Sequence, residues 1–312
     1  MSDIAIVRRT PSMWWGAIII CGTVVGAGMF TLPIVMAGAW YGLSVLILII
    51  SWACMLITGL MFQSVSRHYP INSGYDTITR NLLGNVWAEV NGLSIFFVLG
   101  ILTYAYISAS GPVYQHSLNS AGCDISSAGA KILLTVCIAA IVWVGTSGIG
   151  RLMSILLVVK ISLLITVFGG LLTTINVGYI LNESDYAQSY WPYMLGVIPF
   201  CLASFGYHGN ISGLINYYSG DQQRIRKSLF IGTAMALVIY LFWITATMGN
   251  IPRIEFPLII KYGGDIATLM QALNGHIKIS HLTMMLTLFS HVAVLCSFLG
   301  VTAGLVDFIS RV

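Results

Sequence analysis

Eight apolar stretches divide this chain, near 13–38, 42–65, 90–116, 130–147, 152–175, 192–217, 228–249 and 281–306. Each is close to the roughly 20 residues a helix needs to cross a bilayer. Such a chain has little choice of fold. In hydrocarbon every backbone N–H and C=O must be paired within the protein, and a helix does this without help from its neighbours. Only 8% of the residues are charged and 57% are hydrophobic, whereas a soluble domain carries about 25% charged residues. The chain therefore reads as an all-α integral membrane protein with no soluble domain. Arg8 and Arg9 ahead of an apolar run resemble a cleavable signal. The run is too long for one and further spans follow, so it reads as a retained first span.

Two of the eight stretches contain residues that an undisturbed span avoids. The first carries Cys21-Gly-Thr-Val-Val-Gly-Ala-Gly-Met-Phe-Thr-Leu-Pro33. Glycine costs roughly 1 kcal/mol in a helix interior relative to alanine, and proline about 3. Gly22 and Gly26 also have the four-residue spacing of a helix-packing face, so the stretch alone supports either packing or a break. The sixth stretch repeats the anomaly, with Gly206, His208, Gly209 and Asn210 at membrane depth. Two interrupted helices five spans apart point to a five-plus-five inverted repeat with broken helices 1 and 6. On that reading residues 1–175 form the first repeat (helices 1–5). Residues 176–312 form an incomplete second one (helices 6–8), and the two breaks face each other.

Charge placement orients the chain. With the N-terminus inside, inner segments hold nine Lys or Arg (Arg8, Arg9, Arg67, Arg80, Arg151, Arg224, Arg226, Lys227, Arg311) and outer segments four (Lys131, Arg253, Lys261, Lys278). This bias favours a cytoplasmic N-terminus. Glu183 and Asp185 fall in an outer loop, while Asp76, Glu89 and Asp307 read as interfacial charges. Trp14, Trp15, Trp40, Trp87 and Trp191 lie near span ends, as interfacial anchors do. Five of the six cysteines sit in apolar spans, which is neither a disulfide framework nor a metal spacing. His276 and His281 lack a third ligand. No nucleotide loop or nucleophile–base pair is present, so the chain reads as neither an enzyme nor a nucleic-acid binder, with no cofactor.

Gly22–Pro33, Ile101–Gly111, Leu202–Asn210, Thr247–Arg253 and Ser297–Thr302 together resemble the bacterial aromatic amino acid permeases of the amino acid–polyamine–organocation superfamily. The resemblance runs along essentially the whole chain. It implies a proton-driven symporter of the bacterial inner membrane that imports an aromatic amino acid, tryptophan first and tyrosine as the alternative. Its partners would be that amino acid, protons and the lipid bilayer. Family members usually have eleven spans, and this chain ends after the eighth, so it reads as truncated; the competing expectation is a remnant that binds without transporting. Ser212-Gly213 also stands where the family often has a proline, and His291 where an asparagine is common.

A zwitterionic amino acid needs partners for both charges in a dry site. Backbone N–H groups around Gly26, Ala27 and Gly28 are candidates for the carboxylate, at the positive end of the following half-helix. Carbonyls near Thr23 and Phe205 are candidates for the ammonium, with Gly206 allowing close approach. For the aromatic ring the expected lining is Tyr104, Phe205 and Tyr207; Tyr104 and Tyr106, two apart, cannot both face one pocket, and Tyr104 is preferred. Asn210 completes the second break. His208 there could carry a proton, bond the substrate or satisfy freed carbonyls. Lys160 lies about 12 Å into the fifth span at 1.5 Å per residue, too deep to reach water easily, so it should face the interior. In sodium-coupled relatives of this fold a sodium ion bridges spans 1, 5 and 8. The resemblance therefore implies that Lys160 places an ammonium there and carries the coupling proton, with Ser290 or Ser297 beside it.

Overall fold

The computed structural model describes residues 12–311 apart from 27, 72, 145, 183–188 and 277–279. Among them the chain is helical throughout, with no strand. The first span is two helices, α1 (Met13–Val24) and α2 (Gly28–Met36), bent by 54°. Next come α3 (Trp40–Ser66), a short loop helix α4 (Tyr75–Leu83), α5 (Asn85–Ser120), α6 (Ser127–Val144) and α7 (Thr146–Leu172). After a single-turn α8 (Val177–Leu181), the sixth stretch is again two helices, α9 (Met194–Ser204) and α10 (Ile211–Tyr217). The chain continues through α11 (Gln222–Met248), α12 (Phe256–Lys261), α13 (Ile266–His276) and α14 (Ser280–Arg311).

Each of the eight apolar stretches thus corresponds to one helix or one interrupted pair. Among the described residues five helices are long and apolar enough to cross a membrane, and six are if α1 and α2 count as one span. The expected ends fell short at α5 and α11, which run on to Asn85 and Ser120, and back to Gln222. Asp221 explains the last: its carboxylate accepts from the Arg224 N–H at 3.1 Å, capping the helix before the apolar run begins. The loop helices α4, α12 and α13 were not expected.

At the centre, α1 and α2 pack against α11, α3 and α9. Burial from water does not drive helix pairing in lipid; close approach of small residues does. Ser228, Gly232 and Ala236, four apart on α11, supply it. A side-chain carbon on Gly232 would lie 2.6 Å from the Ala17 carbonyl oxygen and 2.8 Å from Ile20 Cβ. Around this contact the largest buried side chains are aromatic, with Phe30 edge-on to Trp243 at 5.4 Å.

One expected anchor is in the core. Trp14, Trp15, Trp87 and Trp191 are exposed, but Trp40 is 3% exposed. It begins α3 at φ 54° after a tight turn, which swings the indole inward. There its N–H donates to the Tyr179 and Ile180 carbonyls at 3.1 and 3.0 Å. The expected charges at Arg8, Arg9, Glu183, Asp185 and Lys278 lie outside the described residues.

Candidate functional site

Helix α1 stops at Val24 because its last turn meets Gly26 and the bend that follows. The Val25 N–H closes onto the Cys21 carbonyl and the Gly26 N–H onto the Val24 carbonyl, both at 2.8 Å. Backbone beyond them leaves the helical ladder. The packing role of the glycines holds as well as the break. A side-chain carbon on Gly22 would lie 2.4 Å from Leu157 Cδ1 of α7, and one on Gly26 would lie 2.4 Å from Ser297 Oγ of α14. The glycines therefore let the fifth and eighth spans close on the interruption.

Into this junction projects Lys160, 2% exposed. Its ammonium donates to the Gly22 carbonyl at 2.8 Å and to the Val25 carbonyl at 2.7 Å. Carbonyls stripped of helical partners at membrane depth must find a donor, and a buried ammonium must find acceptors; each satisfies the other. The expected convergence of spans 1, 5 and 8 is present: Lys160 holds the break from one side and Ser297 touches Gly26 from the other. Ser290 is not part of it. It lies seven residues earlier on α14, about 10 Å at 1.5 Å per residue, with its hydroxyl on the Thr287 carbonyl at 2.7 Å.

The second break runs from Phe205, where α9 ends, to Asn210, where α10 begins. The two breaks meet through side chains: the Asn210 amide donates to the Thr23 hydroxyl at 2.5 Å, and Gly28 faces Ser204. Thr23, Gly206 and Gly209 are exposed here, while Asn210, His208 and Gly28 are partly covered. Facing breaks were expected; the group that joins them was not. Tyr240, wholly buried on α11, sets its hydroxyl 2.6 Å from the Val24 carbonyl and 2.8 Å from the Ser204 carbonyl. These are the last residues of α1 and α9, so the carbonyl ends of both half-helices converge on one phenol. No periodic or compositional signal marks Tyr240, which sits in an ordinary apolar span. Tyr240→Phe keeps the ring, packed 5.0 Å from Phe205, but takes away the one O–H the two carbonyls share. Val24 keeps the Gly26 N–H, and the Ser204 carbonyl is left without its donor, a loss of about 1–3 kcal/mol. The expected result is a lower melting temperature in detergent with near-normal abundance in the membrane.

Several expected lining residues lie elsewhere. Tyr104 is 69% exposed; two positions along α5 turn the chain to the opposite face, and Tyr106 points inward to hydrogen-bond with Ser297. Tyr207 is buried against α3: its hydroxyl donates to the Met55 carbonyl at 3.0 Å, and Gly59 leaves room for it. Phe205 is wholly buried beside Tyr240. His208 is drawn to the same side as Tyr207, its Nε2 3.0 Å from the Thr58 hydroxyl and its carbonyl accepting from the Tyr75 hydroxyl of α4. The Gly26 N–H, expected to receive a carboxylate, is already on Val24. The carbonyls freed at the breaks are held by Lys160 and Tyr240. Ala27 lies outside the described residues. What the junction brings together is Thr23, Gly26, Gly28 and Asn210 with Lys160, Ser297, Tyr106 and Tyr240.

The sequence profile of the tryptophan/tyrosine permease family matches residues 9–312. A tryptophan-specific transport protein of Shigella flexneri is 45% identical over 310 residues, spanning 99% of this chain and 75% of its own length. A protein with that description from Haemophilus influenzae is 42% identical over 310 residues, spanning 97% and 74%. A tyrosine permease of Enterobacter agglomerans is 38% identical over 309 residues, again spanning 97% and 74%.

Proposed function

The chain belongs to the tryptophan/tyrosine permease family, and from that premise we propose that it imports an aromatic amino acid, tryptophan foremost, by proton-coupled symport. The import of an aromatic amino acid rests on the family and on relatives described as tryptophan transporters. The finer reading rests above all on Lys160, whose ammonium occupies two carbonyls of the first break.

A monovalent cation bound by backbone carbonyls beside an interrupted helix is what an ion-coupled transporter needs there. A lysine supplies that cation covalently, so the exchangeable particle becomes its proton. Thr23, Gly28, Gly206 and Asn210, partly open where the breaks meet, are the proposed substrate contacts. Their polar groups suit the α-amino and carboxylate ends of an amino acid, and the glycines allow approach to the backbone. The charge bias supports an N-terminus on the cytoplasmic side of the inner membrane. A tyrosine-importing alternative is favoured by the 38% identical tyrosine permease.

The test is uptake of labelled tryptophan into bacteria lacking their own aromatic permeases and expressing this chain. The reading expects accumulation above the external concentration, collapse on adding a protonophore, and stronger competition by unlabelled tryptophan than by tyrosine. Uptake that ignores the protonophore removes the proton. Competition led by tyrosine reverses the substrate order.

A further inference from the structure

A second polar line enters the molecule from the ends of α5 and α14, away from the breaks. Its centre is His291 on α14. The imidazole Nε2 lies 2.6 Å from the Ser117 hydroxyl of α5, and the Tyr114 hydroxyl donates to the His291 carbonyl at 3.1 Å. The Tyr114 ring stands 4.6 Å from the imidazole. Nδ1 is buried with no hydrogen-bond partner among the described residues. A neutral imidazole offers one N–H and one acceptor, an imidazolium two N–H groups. Whichever tautomer is present, half of this ring's capacity is unspent, at a cost of about 1–3 kcal/mol. A purely structural contact between two membrane helices has no use for that expense.

Toward the helix ends the line opens to water. A cavity of about 460 Å³ is bounded by Pro112, Gln115, His116, Asn119, Ser120 and Gln271, room for several waters at about 30 Å³ each. A narrower cavity shares His116 and Gln271 with it and reaches Ser117, Thr287 and Ser290. Those last three are the histidine's partner and two α14 residues within a turn of it. The charge bias assigns this end of the bundle to the outside.

Toward the interior, α5 carries hydroxyls at Ser117, Tyr114, Ser110 and Tyr106, spaced three or four residues and so aligned on one helix face. Ser110 is wholly buried. Tyr106 hydrogen-bonds to Ser297, and Ser297 touches Gly26 at the break that Lys160 holds. The Ser110 hydroxyl donates to the Ile107 carbonyl at 2.7 Å and the Tyr114 hydroxyl to the His291 carbonyl, so the row marks a polar face of α5 between the histidine and the break.

We propose that His291 is the outer protonation site of this transporter, taking a proton from the cavity that reaches its partner Ser117, on the polar face of α5 that leads toward the break held by Lys160. This rests on the proton-coupled reading above. The titratable and charged groups that face His291 are few. From α5 come Tyr114 and His116. Lys131 of α6 lies against Gly111 of α5, and α7 contributes Lys160 at the inner end. On α13, His276 is engaged with Glu255 at 2.9 Å, and Cys296 follows on α14 itself. Asp265, at the start of α13, accepts from the Thr268 N–H at 2.8 Å. No carboxylate among the described residues named here is unengaged, which leaves the histidine, whose ordinary titration falls between pH 5 and 8.

The experiment compares His291→Asn with the unaltered chain, both expressed in bacteria lacking aromatic permeases. Initial tryptophan uptake is measured from pH 5.5 to 7.5, alongside exchange of internal for external tryptophan at equal pH on both sides. Asparagine keeps a hydrogen bond to Ser117 but cannot hold a proton. The expected result is a pH response weakened by about threefold or more over that range, with exchange within about twofold of the parent. Ser117→Ala, which keeps the imidazole and removes its partner, should shift the pH midpoint rather than erase the response; it also serves if His291→Asn fails to reach the membrane. A His291→Asn variant with the parental pH profile overturns the proposal and leaves proton coupling intact. Uptake by the unaltered chain that is indifferent to both pH and protonophore overturns the two together.

Discussion

Lys160→Gln is expected to abolish uphill accumulation of tryptophan while leaving exchange across the membrane in place. The ammonium has three N–H groups and spends two of them on the Gly22 and Val25 carbonyls. A glutamine amide has two N–H groups and no charge. It can reach one or both carbonyls and preserve much of the bend, yet it has no proton to release. Coupling and architecture therefore separate in this variant. Lys160→Met removes both: two carbonyls at membrane depth lose their donors, at about 1–3 kcal/mol each, and exchange should fail as well. Accumulation ratios and exchange rates, normalised to protein in the membrane, decide the matter. A glutamine variant that concentrates tryptophan like the parent would remove Lys160 from the coupling mechanism.

The second large effect concerns stability. Gly232→Val should prevent α1 from seating on α11. A single added carbon would already sit 2.6 Å from the Ala17 carbonyl oxygen and 2.8 Å from Ile20 Cβ, and no rotamer change moves a backbone atom. Overpacking of this kind costs about 1–3 kcal/mol for small additions. Gly232→Ala should therefore lower the detergent melting temperature, and valine should leave little monodisperse protein. Gly42→Ala, on the exposed face of α3 with nothing within 4 Å, is the matching control and should behave as the parent. Equal melting temperatures for the alanine variants at 42 and 232 would mean that the α1–α11 crossing is looser than its geometry.

Much of the site was legible because membrane helices advertise their exceptions. Glycines at 22, 26, 206 and 209, and a lysine at 160, stand out against leucine and isoleucine, and each falls at a break or bonds to one. What was not legible is which ordinary residue faces inward. In a soluble helix the polar face marks the outside; here lipid and protein interior are both apolar, so that periodic signal is missing. Tyr104 and Tyr106 were therefore indistinguishable by composition, and it is Tyr106 that turns inward while Tyr104 is exposed. Trp40 looked like its exposed counterparts because the inward turn at its backbone leaves no trace in the sequence. Tyr240 was invisible for a further reason: its role depends on two carbonyls more than thirty residues away on either side of the fold, at Val24 and Ser204. Freed carbonyls were expected near Thr23 and Phe205 to receive an ammonium; those of Gly22, Val25 and Ser204 are held by Lys160 and Tyr240. Their satisfaction by protein donors follows from the rule that no polar group is left bare in hydrocarbon.

The first interrupted span is fastened along its whole length to one set of neighbours. At one end Tyr218 receives the Gly16 N–H and donates to the Ser12 carbonyl, each at 3.0 Å, while Ser228 donates to Met13 at 2.9 Å. In the middle are Tyr240 and the Thr23–Asn210 pair. At the far end buried Arg253 donates to the Gly38 carbonyl at 2.7 Å and lies 4.3 Å over the Tyr190 ring. By contrast, α7 grips the break through Lys160. Any sliding of one group of helices past the other must undo that grip. An ammonium has three donors and a full charge; the neutral amine has two donors and none. Loss of the proton would thus weaken the fastener at the seam itself. Chemical release and mechanical release would then be one event, with no messenger needed between them.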